Sequence, residues 1–213
     1  MKTKKILSIG LSLAMLASCT GNKQATGNES VAPQGDSAYV DTLAAQHPEY
    51  LPGLPLDTLA PEIAAPDTLG QIIRLSDYRG KYVVLDFWAT WCGDCRREVP
   101  ELKKVYEEFS TQQIKGADIQ FLSYSFDKDA DRWKRYLANE QFPWPQISTL
   151  EPEWKKNPAS QSYRLHWIPA FLVISPEGRL VGKAITAAGL RQVLKEQNLP
   201  TSLRREEMEV TEK

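Results

Sequence analysis

Apolar and polar positions change period several times along the chain, and each change marks an element. Tyr82-Val83-Val84-Leu85-Asp86-Phe87-Trp88 is a near-continuous β-branched and aromatic run, which predicts a strand buried on both faces. Asp86 interrupts it. Over residues 92–110 the apolar positions Val99, Leu102, Val105, Tyr106 and Phe109 fall at helical spacing, with Glu and Lys on the other side. Residues 119–126 read as a second buried strand, and 130–139 as a helix with Trp133, Tyr136 and Leu137 on one face. A Pro- and Trp-rich connection follows, with a short strand at 146–148 and a short helix at 159–165. Two strand-like runs, 170–174 and 179–185, flank Ser175-Pro176-Glu177-Gly178, whose turn chemistry predicts a hairpin. Residues 188–197 close the domain as a helix, and a short strand at 71–75 with a turn at 76–81 precedes the first buried strand. Strands alternating with helices and ending in an antiparallel hairpin argue for an α/β fold, a mixed central sheet covered on both faces.

The N-terminal residues lack this order. Lys2, Lys4 and Lys5 precede an apolar run over 6–17, too short to span a bilayer as a helix, and the pattern reads as a secretion signal. The run ends in Leu16-Ala17-Ser18-Cys19, which resembles the lipobox of bacterial lipoproteins. That resemblance implies a diacylglyceryl group on Cys19, which becomes the first mature residue. An incidental cysteine after an ordinary signal is the bland alternative. Residues 20–59 contain Gly, Asn, Ser, Ala and Pro without sustained periodicity, as suits a tether, although 39–54 holds enough apolar residues for part of it to pack on the domain. The expected organisation is a signal peptide at 1–18, a lipidated tether at 19–59, one domain at 60–200 and a charged tail at 201–213.

A chain of 213 residues accommodates this single domain with appendages. Its 26 basic and 27 acidic residues give a net charge of −1, and loss of the signal lysines leaves 23 against 27, a net −4. No basic excess points to nucleic acid.

Beyond Cys19, the chain has two cysteines, Cys92 and Cys95, in an exported protein whose compartment permits disulfides. A disulfide needs Cα atoms about 4.4 to 6.8 Å apart, and positions i and i+3 of a first helical turn satisfy this. Cys92 sits where the orphan N–H groups and helix dipole favour its thiolate, while Cys95 lies one turn inside. The expected cycle is attack by Cys92 on a substrate disulfide, then release by Cys95 with closure of Cys92–Cys95. This redox-active disulfide is the only reactive group implied, with no bound cofactor. Two carboxylates could take the Cys95 proton: Asp86, costly in a buried strand without a task or partner, and Glu98, on the same helical face as Cys95. A solvated helix residue is the bland reading of Glu98. Asp94 suits the helix start yet penalises the neighbouring thiolate, and Arg96 and Arg97 offset part of that.

Phe87-Trp88-Ala89-Thr90-Trp91-Cys92-Gly93-Asp94-Cys95 resembles the active-site segment of thioredoxin-fold proteins, specifically the membrane-tethered TlpA/ResA-like thiol–disulfide oxidoreductases. Pro61-Glu62-Ile63, Leu75-Ser76-Asp77-Tyr78-Arg79-Gly80-Lys81 and Trp167-Ile168-Pro169-Ala170-Phe171-Leu172-Val173-Ile174 extend the likeness, which covers 61–200. The resemblance implies that Cys92 attacks and Cys95 resolves, that Glu98 and Asp86 match acidic positions of such sites, and that Pro169 is a cis-proline opposite the disulfide. It also implies that the backbone of Ile168 pairs with an extended substrate segment, beside Trp91. The chain departs from the pattern at Asp94, where the family most often has proline; this leaves the direction of electron flow open.

The implied activity is reduction of extracytoplasmic protein disulfides in a bacterial cell envelope, lipid-anchored and facing the periplasm, with a membrane thiol-transport protein as electron donor. Oxidation or isomerisation is the alternative within the same chemistry. The peroxidase pattern Pro-x-x-x-Thr/Ser-x-x-Cys is absent, since Ala89 and Cys92 stand three before Cys92 and Cys95. Cu or Zn binding by the two thiolates is a third reading; His47 and His166 are the chain's histidines, and neither has motif spacing. Trp144 and Trp154 either line a substrate groove or fill a recess.

Overall fold

A computed structural model describes residue 44 and residues 46–198. The expected signal peptide, Cys19, most of the tether and the charged tail lie outside the described residues. The centre of the fold is strand β3 (Tyr82–Trp88), every residue of which is buried. It runs parallel to β5 (Ala117–Ser125) and antiparallel to β7 (Ala170–Ile174), which pairs with β8 (Leu180–Ala184) to complete the hairpin. Outside β5 lie β4 (Gln113–Ile114), antiparallel, and β6 (Gln146–Ile147), parallel. This is the expected thioredoxin-like α/β fold with a mixed sheet.

Side-chain alternation sorts the core into two layers. Tyr82 and Val84 of β3, with Phe121, Phe171 and Val173, meet Leu102, Val105 and Phe109 of α1 (Gly93–Phe109) and Leu190 and Leu194 of α4 (Ala187–Asn198). Val83, Leu85 and Phe87 face the other way, with Leu122, Leu172 and Ile174. That second layer is closed by Tyr163 beside α3 (Pro158–Ser162), by Trp133 of α2 (Ala130–Glu140), and by Leu54, Ala60, Ile63 and Ala65.

The segment before residue 60 therefore contributes to the core. Its backbone is tied down: Gly53 N–H donates to the Arg164 carbonyl (2.9 Å), Asp57 N–H to Leu180 (2.7 Å), and Leu180 N–H to Thr58 (2.9 Å). Lys183 Nζ donates to the carbonyls of Pro52 and Leu54 at 2.9 and 3.1 Å. Leu54 fulfils the expectation that part of 39–54 packs on the domain; main-chain pairing leaves no hydrophobic period, so the sequence reads the remainder to residue 59 as tether.

Two short elements also escape the pattern. The strand β1 (Ala64–Pro66) pairs with β2 (Ile72–Arg74) in a separate small sheet. The β4–β5 hairpin turns through Lys115 and Gly116, both at positive φ (51° and 83°), as a tight two-residue hairpin loop requires. Lysine at the first of these positions hides the turn.

Candidate active site

The register of the sheet assembles the site. Phe87 lies opposite Ala170, so the loop leading out of β3 and the loop leading into β7 meet at one end. The first carries Cys92; the second carries the cis Ile168–Pro169 bond.

Cys92 and Cys95 are joined in a disulfide with Cα atoms 5.3 Å apart. Cys92 is the N-cap of α1, and its sulfur accepts the Cys95 N–H at 3.0 Å. One of the orphan donors of the helix thus points at the sulfur that would carry negative charge after reduction. The same sulfur lies 3.5 Å from the Ile168 carbonyl oxygen. Cys92 and Cys95 are both buried, at 7% and 3% exposure, whereas Trp91 is 42% exposed. Ile168 is itself buried. Asp94 pairs with Arg97 on the helix surface, which draws its charge into an ion pair one turn along.

Asp86, Cys95, Glu98 and Pro169 line one cavity of about 10 Å³ beneath α1, together with Val99 and Phe171; this is the size that holds a single water. The Asp86 carboxylate accepts from Ser123 Oγ at 2.9 Å, and Ser123 Oγ in turn accepts from Trp144 Nε1 at 2.8 Å. Its other oxygen, Oδ1, is buried with no hydrogen-bond partner among the described residues. Burial pushes the acid up to about 7, with the Ser123 bond offsetting part of the effect. Glu98 is also raised above the usual carboxylate range, chiefly by burial, while the Ala187 N–H it accepts at 2.7 Å opposes the shift. That bond ties α1 to the start of α4. Both acids thus line the same small cavity as Cys95, each with a proton affinity raised above that of an ordinary carboxylate.

A third carboxylate has no counterpart in the sequence reading. Asp127, 1% exposed, accepts from Thr90 N–H (2.8 Å), Thr90 Oγ1 (2.5 Å) and Ser125 Oγ (2.7 Å). Arg132 donates to the Thr90 carbonyl at 3.4 Å, and Trp91 Nε1 to the Phe126 carbonyl at 3.2 Å. The approach to Cys92 is therefore clamped onto the end of β5. The available signal was an acid placed directly after an apolar strand.

The tryptophans separate by role. Trp144 is buried against Tyr106, Phe121 and Phe142, and its indole reaches Asp86 through Ser123. Trp154 rests near Trp91 and Phe126, with ring centroids 6.5 and 5.8 Å away, so it flanks the exposed side of the site. Trp167 stacks on Tyr50 (4.4 Å), which stacks on His47 (4.7 Å). His166 is exposed one residue earlier. Among the described residues no three His, Cys, Asp or Glu side chains gather in a metal-binding group.

Residues 56–183 match the AhpC/TSA family. The thiol-disulfide oxidoreductase ResA of Bacillus subtilis is 32% identical over 129 residues, 60% of this chain and 65% of that relative. The ResA of Geobacillus kaustophilus is 40% identical over 76 residues, 35% of this chain and 44% of the relative. The matches thus span less than two thirds of these relatives' length. Among solved structures, the thioredoxin domain of a thiol-disulfide oxidoreductase from Bacteroides vulgatus superposes with a TM-score of 0.59 at 28% identity, covering 68% of this chain and 98% of that domain.

Proposed function

The chain belongs to the AhpC/TSA family, and on that footing we propose that it is a thiol–disulfide oxidoreductase that reduces disulfides of protein substrates outside the cytoplasm. The observation that carries the reading is a disulfide whose N-terminal sulfur caps a helix, accepts the Cys95 N–H and faces the Ile168 carbonyl. The relatives named thiol-disulfide oxidoreductase support it.

In the reduced protein the Cys92 thiolate attacks one sulfur of a substrate disulfide, forming a mixed disulfide and expelling one substrate thiolate. Cys95, having given its proton to Asp86 or Glu98, attacks the Cys92 sulfur and expels the second. Two electrons pass to the substrate, whose two thiolates take up protons, and Cys92–Cys95 closes. Pro169 and Ile168 hold the substrate segment across from the disulfide, with Trp91 at its side. The departing backbone edge at Ile168 supplies main-chain pairing that is indifferent to substrate sequence.

The Lys-rich start, the apolar run and Leu16-Ala17-Ser18-Cys19 support a lipid anchor on Cys19 in a bacterial envelope, with the domain facing the periplasm. Net reduction in that compartment needs a supply of electrons, for which a membrane thiol-transport protein is the fitting donor. Reduced wild-type protein should reduce a protein disulfide such as that of insulin; Cys92→Ser should be inactive, and Cys95→Ser should accumulate a mixed disulfide visible by mass. Turnover by Cys92→Ser would sink the assignment.

A further inference from the structure

A groove of donors is linked to the disulfide through two separate parts of the chain. One side is Lys155, whose ammonium lies over the Trp154 ring at 5.6 Å; Trp154 in turn neighbours Trp91, the residue before Cys92. The other side is Arg164 and His166, just ahead of Ile168, whose carbonyl lies 3.5 Å from the Cys92 sulfur. Between them Lys155, Ser160, Gln161, Arg164, Leu165 and His166 enclose about 510 Å³.

The groove has a fixed floor and a uniform chemistry. Ser160 and Leu165 are buried, while Lys155, Gln161, Arg164 and His166 are exposed. The Arg164 backbone is held by the Gly53 N–H on its carbonyl at 2.9 Å and adopts the left-handed region (φ 52°), which is unusual for a residue with a long side chain. No carboxylate lines the groove, and neither Lys155 nor Arg164 belongs to an ion pair among the described residues. A lysine and an arginine with hydroxyl, amide and imidazole groups beside them form a set suited to a carboxylate. In a chain of net charge −1 the overall field does not already attract an anion, so the attraction is local.

We propose that this groove binds an acidic side chain of the protein substrate, an aspartate or glutamate close in sequence to the cysteine that Cys92 attacks. It rests on the dithiol-exchange reading above. Main-chain pairing at Ile168 would then supply the general grip, and the groove the choice among substrates.

The test uses the reduced full-length chain and three peptide disulfides that differ only in the residues flanking the cysteine: acidic, neutral or basic. The acidic peptide should be reduced with a kcat/KM about tenfold above the neutral one at low salt, the advantage shrinking as ionic strength rises. In the Lys155→Glu/Arg164→Glu variant the acidic-to-neutral ratio should fall to one or below. Equal rates for the three peptides, or a preference that survives the double substitution, would overturn the groove. No reduction of any peptide by wild type would overturn the exchange reading itself, and the groove with it.

Discussion

Asp86 offers the sharpest quantitative test, because its burial has a calculable signature in stability. The acid is pushed from an ordinary 3.8 to about 7 in the folded protein. Between those values the unfolded chain has released the proton and the folded chain still holds it, so stability falls as pH rises through that window. Below it the group contributes nothing, and above pH 7 the loss is complete. At about 1.4 kcal/mol per pH unit the span amounts to roughly 4 kcal/mol.

Asp86→Asn removes the titration. The amide carbonyl can still accept from Ser123, but the NH2 group falls where Oδ1 now lacks a partner, a cost of about 1–3 kcal/mol that does not vary with pH. The stability difference, variant minus wild type, should therefore climb by roughly 4 kcal/mol between pH 4 and pH 8, whatever its offset. Guanidinium unfolding of the oxidised proteins, followed by circular dichroism at half-unit pH steps, measures it. Other titrating groups are common to both proteins and cancel. Parallel stability curves would refute the buried acid as described.

Glu98→Gln retains an oxygen for the Ala187 N–H but cannot take a proton; resolution of a mixed disulfide by Cys95 should slow by about tenfold or more while the first attack by Cys92 keeps its rate, as stopped-flow kinetics would resolve. Equal slowing of both steps would mean that the residue only ties α1 to α4. Asp127→Asn should cost about 2–4 kcal/mol, since charge-assisted hydrogen bonds to Thr90 and Ser125 are lost in a buried place. Combined with Thr90→Val the losses should be strongly non-additive in urea titrations, and simple addition would break the proposed clamp.

The parts of the fold that hydrophobic period announces are those the sequence delivers: β3 to the residue, α1 within one position of Cys92, the hairpin of β7 and β8. The parts held by backbone pairing are silent in it. Residues 47–59 show no period because Gly53, Asp57 and Thr58 bond through the main chain, and β4 hides behind a lysine at positive φ. At the site, adjacency in sequence revealed Cys92 and Cys95. Proximity across elements needed the structure, because only the pairing of β3 with β7 brings Pro169 to Asp86, Cys95 and Glu98. Ser123 and Trp144 likewise become legible only once β5 is in register, with Ser123 opposite Asp86.

The stack of His47, Tyr50 and Trp167 couples the peptide entering the domain to the loop that carries the cis-proline. A pull on the upstream chain is delivered to residue 167, two positions before the cis-proline. Each ring contact contributes only about 0.5–1.5 kcal/mol beyond its buried area, against the 5–15 kcal/mol that holds a typical domain together. The ring stack therefore opens at far smaller cost than the sheet. Opening of residues 48–50 would free one face of the Trp167 ring and leave the main-chain bonds of Gly53 and Asp57, and the sheet behind them, in place.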